Sequence, residues 1–365
     1  MKRIACKLFL PLAACAAAAV PLGGMAASFS TLIKTPLVVE GLATDNAGYL
    51  YSPGRGDPTG NCPVYRVSID NPVLQTVGLI PPAGCSPSGL AFGPDGRLYV
   101  TNGDRIYRFV PSATGPVPIA AVFATGVPGT NGLAFDRDGN LWTGDGTTGL
   151  GRVWKITPDG VATLMFRVQP MANSAGVGRS DVTLPAGTAQ PLVANGLQFT
   201  TSGDLLIADT ARGALWKVAI NRDGSIASPM GCDTTFTPDT LCFDNIFVAH
   251  PLLDGIDGFV LDVAGNAWAS VNERNAIVYV SSQGDAVEVF RNPVAGTGLR
   301  NEGPLESPTS PVLAGTTLCT ANSDGNRRDN SPNSAGEISP SGAFKGKISC
   351  MDGRATVRGM TLPVH

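Results

Sequence analysis

SGLAFGPDGRLYVTNGDRIYRF, residues 88–109, reads as three short strands. Gly89-Leu90-Ala91-Phe92 is an apolar run, Pro94-Asp95-Gly96 supplies the positive-φ position of a tight hairpin, and Leu98-Tyr99-Val100 returns antiparallel. Arg105 to Phe109 alternates polar and apolar residues, as a partly exposed third strand does.

The same pattern returns along the chain. EGLATDNAGYLYSP begins at Glu40, NGLAFDRDGNLWTGDG at Asn131, NGLQFTTSGDLLIADTARGALWKV at Asn195 and DGFVLDVAGNAWASVNERNAIVYV at Asp257. A weaker sixth unit, SPVLAGTTLCTANSDG, begins at Ser310. Successive starts lie 48, 43, 64, 62 and 53 residues apart, which is room for four short strands and variable loops per unit. No such blade buries both faces alone, whereas six packed radially cover one another and leave only short edges. The chain is therefore predicted to be all-β, a six-bladed β-propeller. The steps are too long for the coils of a β-helix; a seventh blade and a pair of β-sandwiches are the other architectures to weigh. No amphipathic helix pattern stands out beyond the N-terminal segment. Arg167 to Gln190, rich in Gly, Ala, Ser and Pro, fits no strand and reads as a functional or disordered loop, with a flap over the channel mouth as the sharper expectation.

Composition agrees with a turn-rich β protein. Gly (45) and Pro (29) make up about a fifth of the 365 residues, and only 15% are charged. The net charge of −3 leaves no basic field for a phosphate backbone, the largest basic cluster being Arg327 and Arg328, so nucleic acid is excluded as the expected partner. The N-terminus runs from Lys2 and Arg3 through an apolar stretch, Leu8 to Val20, broken only by Pro11, to small residues around Gly24, Met25, Ala26 and Ala27. That order predicts an export signal over 1–27, a mature propeller over 28–365 and a periplasmic or secreted location. The apolar stretch is short for a membrane span. Leu12-Ala13-Ala14-Cys15 also reads as a lipobox, which would instead leave a lipid anchor at Cys15.

Eight cysteines become six once Cys6 and Cys15 leave with the signal. The remainder fall as Cys62 and Cys85, Cys232 and Cys242, Cys319 and Cys350; nearest-neighbour disulfides are the simplest of the 15 connectivities six thiols allow. None has the CxxC spacing of a zinc site.

The residue before the glycine of each first strand is Glu40, Ser88, Asn131, Asn195, Asp257 and, in the sixth unit, Ser310 or its neighbour. First strands line a propeller's channel, so these positions should converge in one ring. Two carboxylates and two amides facing one point repel or stay unsatisfied unless a cation sits between them. Calcium suits such a set because it takes six to eight hard oxygen ligands. Zinc suits it less, with His250 and His365 the only histidines. The competing reading makes Asn and Asp turn residues that bond their own backbone, though Glu40 has no such preference.

These residues resemble the gluconolactonase and senescence marker protein (regucalcin) family, which includes diisopropyl fluorophosphatase-like hydrolases. The resemblance spans the mature chain in short motifs. It implies that Glu40 with Gly41, Asn195 in NGLQF, and Asp257 with Gly258 bind one divalent metal, that Asn131 helps hold water or substrate, and that Asp257 is also the acid/base candidate. Two departures stand out: sugar-lactone members carry an Arg where this chain has Gly129, and the Pro and Trp that follow the first EG are replaced by Leu42 and Thr44.

Other polar residues read more plainly. Asp145, Asp209 and Asn102 follow second strands and suggest blade-to-blade hydrogen bonds. His250, seven residues before Asp257, is a proton-shuttle candidate but more simply a surface residue. Trp142, Trp154, Trp216 and Trp268 are expected in blade cores. No nucleophile elbow, P-loop or Rossmann fingerprint sits in strand-to-helix context. Three functions follow: a calcium-dependent hydrolase of a lactone or small ester, acting on a small-molecule substrate; a non-catalytic exported propeller whose metal only ties blades together; and a strictosidine synthase-like enzyme.

Overall fold

The computed structural model describes residues 28–45, 47–57, 60–82, 85–170, 193–292, 303–323 and 346–351. The expected export signal over 1–27, with Cys6 and Cys15, the residue His365, the Arg327–Arg328 pair and most of the proposed flap, 171–190, lie outside these residues. The described chain forms six antiparallel sheets arranged as a six-bladed β-propeller. Among the described residues the only helical segments are three short 3-10 turns, and no helix is long and apolar enough to cross a membrane.

Each repeat supplies the first three strands of a blade in chain order, innermost first. In blade 2 the inner strand Pro87–Phe92 pairs with Leu98–Asn102, which pairs with Arg105–Phe109, which pairs with Ala121–Thr125. Gly96 takes the left-handed φ of +72° that the hairpin requires. Blade 6 is built differently. Its inner strands are Pro308–Ala314 and Thr317–Asn322, its third is Gly346–Met351, and its outermost is Phe29–Thr35 from the start of the described chain. The first and last described strands thus close the propeller in one sheet, a feature the repeat pattern does not announce. The loop reading of Arg167 needs correction: it ends the strand Ala162–Arg167, and its backbone exchanges hydrogen bonds with Asp239 and Leu241.

A recurrent lock holds the inner hairpins. Asp136 accepts from the backbone N–H of Asp138 and Asn140 through Oδ1 and from Trp142 Nε1 through Oδ2 at 2.9 Å. Asp45 and Asp262 do the same for their turns and for Tyr51 and Trp268, at 2.8 and 3.2 Å. The locked aromatic then meets the phenylalanine of the next blade's inner strand: Tyr51 meets Phe92 and Trp142 meets Phe199 edge-on, with centroids 5.0 and 5.8 Å apart. Such pairs add about 0.5–1.5 kcal/mol beyond their burial. The turn, the blade core and the blade interface are therefore coupled through one aspartate.

The four tryptophans are buried as expected, with Trp142 and Trp216 fully so. Asp145 and Asp209 depart from their expected role. Each bonds within its own blade, Asp145 to Thr148 and Arg152, and Asp209 to Arg212 and Trp216. These aspartates cap the turn that follows the second strand. Arg212 carries the network outward, donating to the Gln169 carbonyl of the preceding blade. Asn102 accepts from Ser86 N–H and donates to the Pro81 carbonyl, both in the segment leading in from blade 1. The three cysteine pairs form disulfides as read: Cys62–Cys85, Cys232–Cys242 and Cys319–Cys350.

Candidate metal centre and active site

The six equivalent residues converge because the inner strands bulge where they stand. Register slips between Pro87 and Leu90, Thr130 and Leu133, Ile256 and Phe259, and Pro308 and Pro311. Each slip drops the ring residue and its follower out of regular pairing, which re-aims a side chain as bulges near functional sites do. In blade 1 the inner strand is broken outright, into Val38–Val39 and Ala43–Thr44, around Glu40.

The glycine after each ring residue exists for close approach. A Cβ on Gly89 would lie 2.0 Å from the Asn131 carbonyl oxygen, and one on Gly196 would lie 2.8 Å from that of Asp257, so no larger residue fits unless the backbone shifts. Gly41, Gly132 and Gly258 stand in the same way against Ser88, Asn195 and Thr309. Thr309 then closes the circle by donating from Oγ1 to the Glu40 carbonyl at 2.6 Å. The sixth ring position is therefore Thr309, the neighbour of Ser310. All six ring residues are buried, at 7% exposure or less.

Side-chain contacts engage four of them. Asn131 Nδ2 donates to Glu40 Oε1 at 3.0 Å across the ring. Asn195 Nδ2 donates to Thr210 Oγ1 at 3.1 Å, and Asn195 lies near enough to the Asp257 carboxylate to favour its charged form. Asp257 Oδ2 accepts from Asn272 Nδ2 at 2.9 Å. Burial pushes the Asp257 carboxyl up to about 7, with the bond from Asn272, the charge of Arg55 and the Asn195 side chain acting the other way. Glu40 Oε2 forms an ion pair with Arg55 Nη1.

These contacts expose a second tier that the sequence reading missed. Arg55, Thr210 and Asn272 each stand fifteen residues after the ring residue they touch. Gly146 occupies the same position in blade 3, where a Cβ would press to 2.7 Å from that of Asn131. The constant spacing was available as a signal; it is masked by the chemical dissimilarity of Arg, Gly, Thr and Asn.

Among the described residues no three His, Cys, Asp or Glu side chains come together as a metal site. A cation at this ring would rest on two carboxylates and amide oxygens. The donor set fits a hard cation: with the N–H groups of Asn131 and Asn195 directed at protein acceptors, their Oδ1 atoms are the ones left to offer. Ser88 has no charge to contribute. His250 is exposed and its Nδ1 accepts from Leu252 N–H at 3.1 Å, which is a turn-capping role. Gly129 has φ +78°, which L side chains rarely adopt, and a Cβ there would lie 2.2 Å from Asp145 Oδ1, so a larger residue at this place would be strained.

Comparison with known proteins agrees with this architecture. Among curated proteins none matches the chain. Solved structures of like fold include a calcium-binding regucalcin from Agrobacterium tumefaciens, at 18% identity and TM-score 0.60 over 93% of this chain and 97% of that one. A luciferin-regenerating enzyme aligns at 14% identity and TM-score 0.61 over 92% and 98%. A gluconolactonase from Xanthomonas campestris aligns at 18% identity and TM-score 0.54 over 89% of each chain. At these identities the likeness is one of fold. The model of the SMP-30/gluconolactonase/LRE-like region matches residues 86–298, more than half of the sequence, and the chain therefore belongs to that family.

Proposed function

We propose that this protein is an exported hydrolase of a lactone or other small ester, dependent on one divalent cation, calcium by the character of its donors. The observation that carries the reading is the buried ring that gathers Glu40, Asn131, Asn195 and Asp257 at equivalent positions, with Asn131 bonded to Glu40. Glu40, Asn195 and Asp257 are the proposed ligands. When bound, the cation supplies polarisation of the ester carbonyl and stabilisation of the charge that develops on its oxygen.

The chain's own groups provide the rest. Asp257 is the proposed base: its buried ring carboxylate can accept a proton from an attacking water, which an amide in its place could not. Asn272 orients it by holding Oδ2, which leaves Oδ1 to take the proton from an attacking water. Asn131, bonded to Glu40, is placed to orient water or substrate without being a principal ligand. With Gly129 packed against Asp145, the preferred substrates are smaller or less polar than sugar lactones. Calcium is a weak Lewis acid, so the ester is a strained or activated one. The three disulfides fit an oxidising compartment and support export.

The test is a panel of lactones and aryl esters assayed with calcium and with chelator. The reading predicts calcium-restored hydrolysis of at least one member. Calcium-loaded protein with no hydrolysis above buffer on any member would turn the reading to a non-catalytic propeller.

A further inference from the structure

In blades 4 and 5 the residue fifteen places beyond the ring residue is neutral: Thr210 accepts from Asn195 and Asn272 donates to Asp257. Blade 1 puts a full positive charge at the same position. Arg55 ends the strand Tyr49–Arg55, where its backbone pairs with Val38, and its side chain turns towards the ring. Its Nη1 pairs with Glu40 Oε2, while Nε and Nη2 both donate to Ser86 Oγ, at 3.1 and 2.9 Å. Its charge also reaches Asp257. The Arg55 side chain is 30% exposed against 9% for Glu40, so the guanidinium lies on the solvent side of the carboxylate it neutralises.

We propose that the Arg55 guanidinium is the resident counter-cation of the ring, and that a divalent ion engages Glu40 only by displacing it. The inference rests on the reading of the ring as a cation site. Both Glu40 oxygens are already engaged, Oε1 by Asn131 Nδ2 and Oε2 by Arg55. Each oxygen keeps a lone pair for coordination, but a hard cation beside Oε2 meets the guanidinium at close range. Asn131 is buried and neutral, whereas Arg55 is long, partly exposed and positively charged, so the ion's own charge repels Arg55 and leaves the Asn131 contact almost unaffected. Ser86 is an anchor that Arg55 can keep as it withdraws. The exchange keeps positive charge beside Glu40 in both states, one unit from the guanidinium or two from the ion. Without Arg55, two buried acids with no cation between them would share the ring whenever the divalent ion is absent. The arrangement weakens divalent binding and stabilises the ion-free protein.

The experiment is calorimetric titration of chelator-stripped protein with calcium chloride, paired with thermal unfolding in calcium-free buffer, for wild type, Arg55→Met, Arg55→Gln and Arg55→Lys. Arg55→Met is expected to bind calcium at least about tenfold more tightly than wild type and to unfold at a lower temperature without calcium. Arg55→Gln, which keeps a polar donor for Ser86, is expected to move both readouts the same way and serves if the Met variant does not fold. Arg55→Lys keeps the charge and is expected to stay within about threefold of wild type. If wild type binds calcium and the neutral variants bind it no more tightly, the counter-cation role is wrong and the ring reading stands. If none of the four binds calcium, the ring reading falls and this proposal with it.

Discussion

The two carboxylates of the ring live in opposite surroundings. Glu40, in a blade whose inner strand is broken, has a guanidinium on one oxygen and an amide on the other. Asp257, in a blade whose inner strand is continuous apart from its bulge, accepts from the neutral Asn272 and has the neutral Asn195 beside it. The consequence is electrostatic: the chain neutralises one acid itself and leaves the other short of positive charge, so burial lifts Asp257 towards neutrality. A site built that way is poised to receive a cation at Asp257 and to surrender one at Glu40.

The comparison breaks most visibly in turnover. Asp257→Asn removes the proposed base and one proposed ligand charge while nearly conserving shape, so hydrolysis is expected to vanish even at saturating calcium. Asn131→Ala, by contrast, is expected to spare calcium binding and lower kcat, because its amide orients without acting as a principal ligand. Steady-state kinetics with calcium content measured on each preparation checks both. Full activity in Asp257→Asn would remove the proposed base.

A smaller effect sharpens the contrast through pH. The folded Asp257 carboxyl titrates near 7 and its unfolded counterpart near 3.8, so the calcium-free folded state holds a proton that unfolding releases across that interval. Stability from this group is therefore greatest below about pH 4 and is lost as pH rises towards 7, by an amount on the order of a few kcal/mol. Unfolding of calcium-free wild type and Asp257→Asn, followed from pH 4 to 8, should show the steeper decline in wild type. Parallel profiles would mean that Asp257 is not the uncompensated acid.

Much of this was legible in the sequence because propeller blades repeat their chemistry. In units one to five a ring residue followed by glycine, a turn ending in glycine and an apolar return recur, so those five ring residues align without further information. What stayed hidden is where blades depart from the repeat. Unit six lacks the marker glycine, since Ser310 stands in its place after Thr309, and the ring position was ambiguous by one residue. Phe29–Thr35 has no turn signature tying it to a blade nearly the whole chain away, so the closing sheet could not be read. Asp145 and Asp209 looked like links between blades because they repeat, yet repetition marks any role each blade needs, including a turn of its own. Arg55 went unnoticed because the residues at its position share only a spacing.

The most direct test of the account is calcium titration of stripped wild type, Glu40→Gln, Asp257→Asn and Ser88→Ala, with stoichiometry and affinity read together. One site per chain is predicted in wild type. Affinity should fall more than about tenfold in Glu40→Gln and Asp257→Asn and change little in Ser88→Ala, whose ring position carries no charge. Absence of calcium binding in wild type, or equal losses in all three variants, would contradict the claim that these two carboxylates form one cation site.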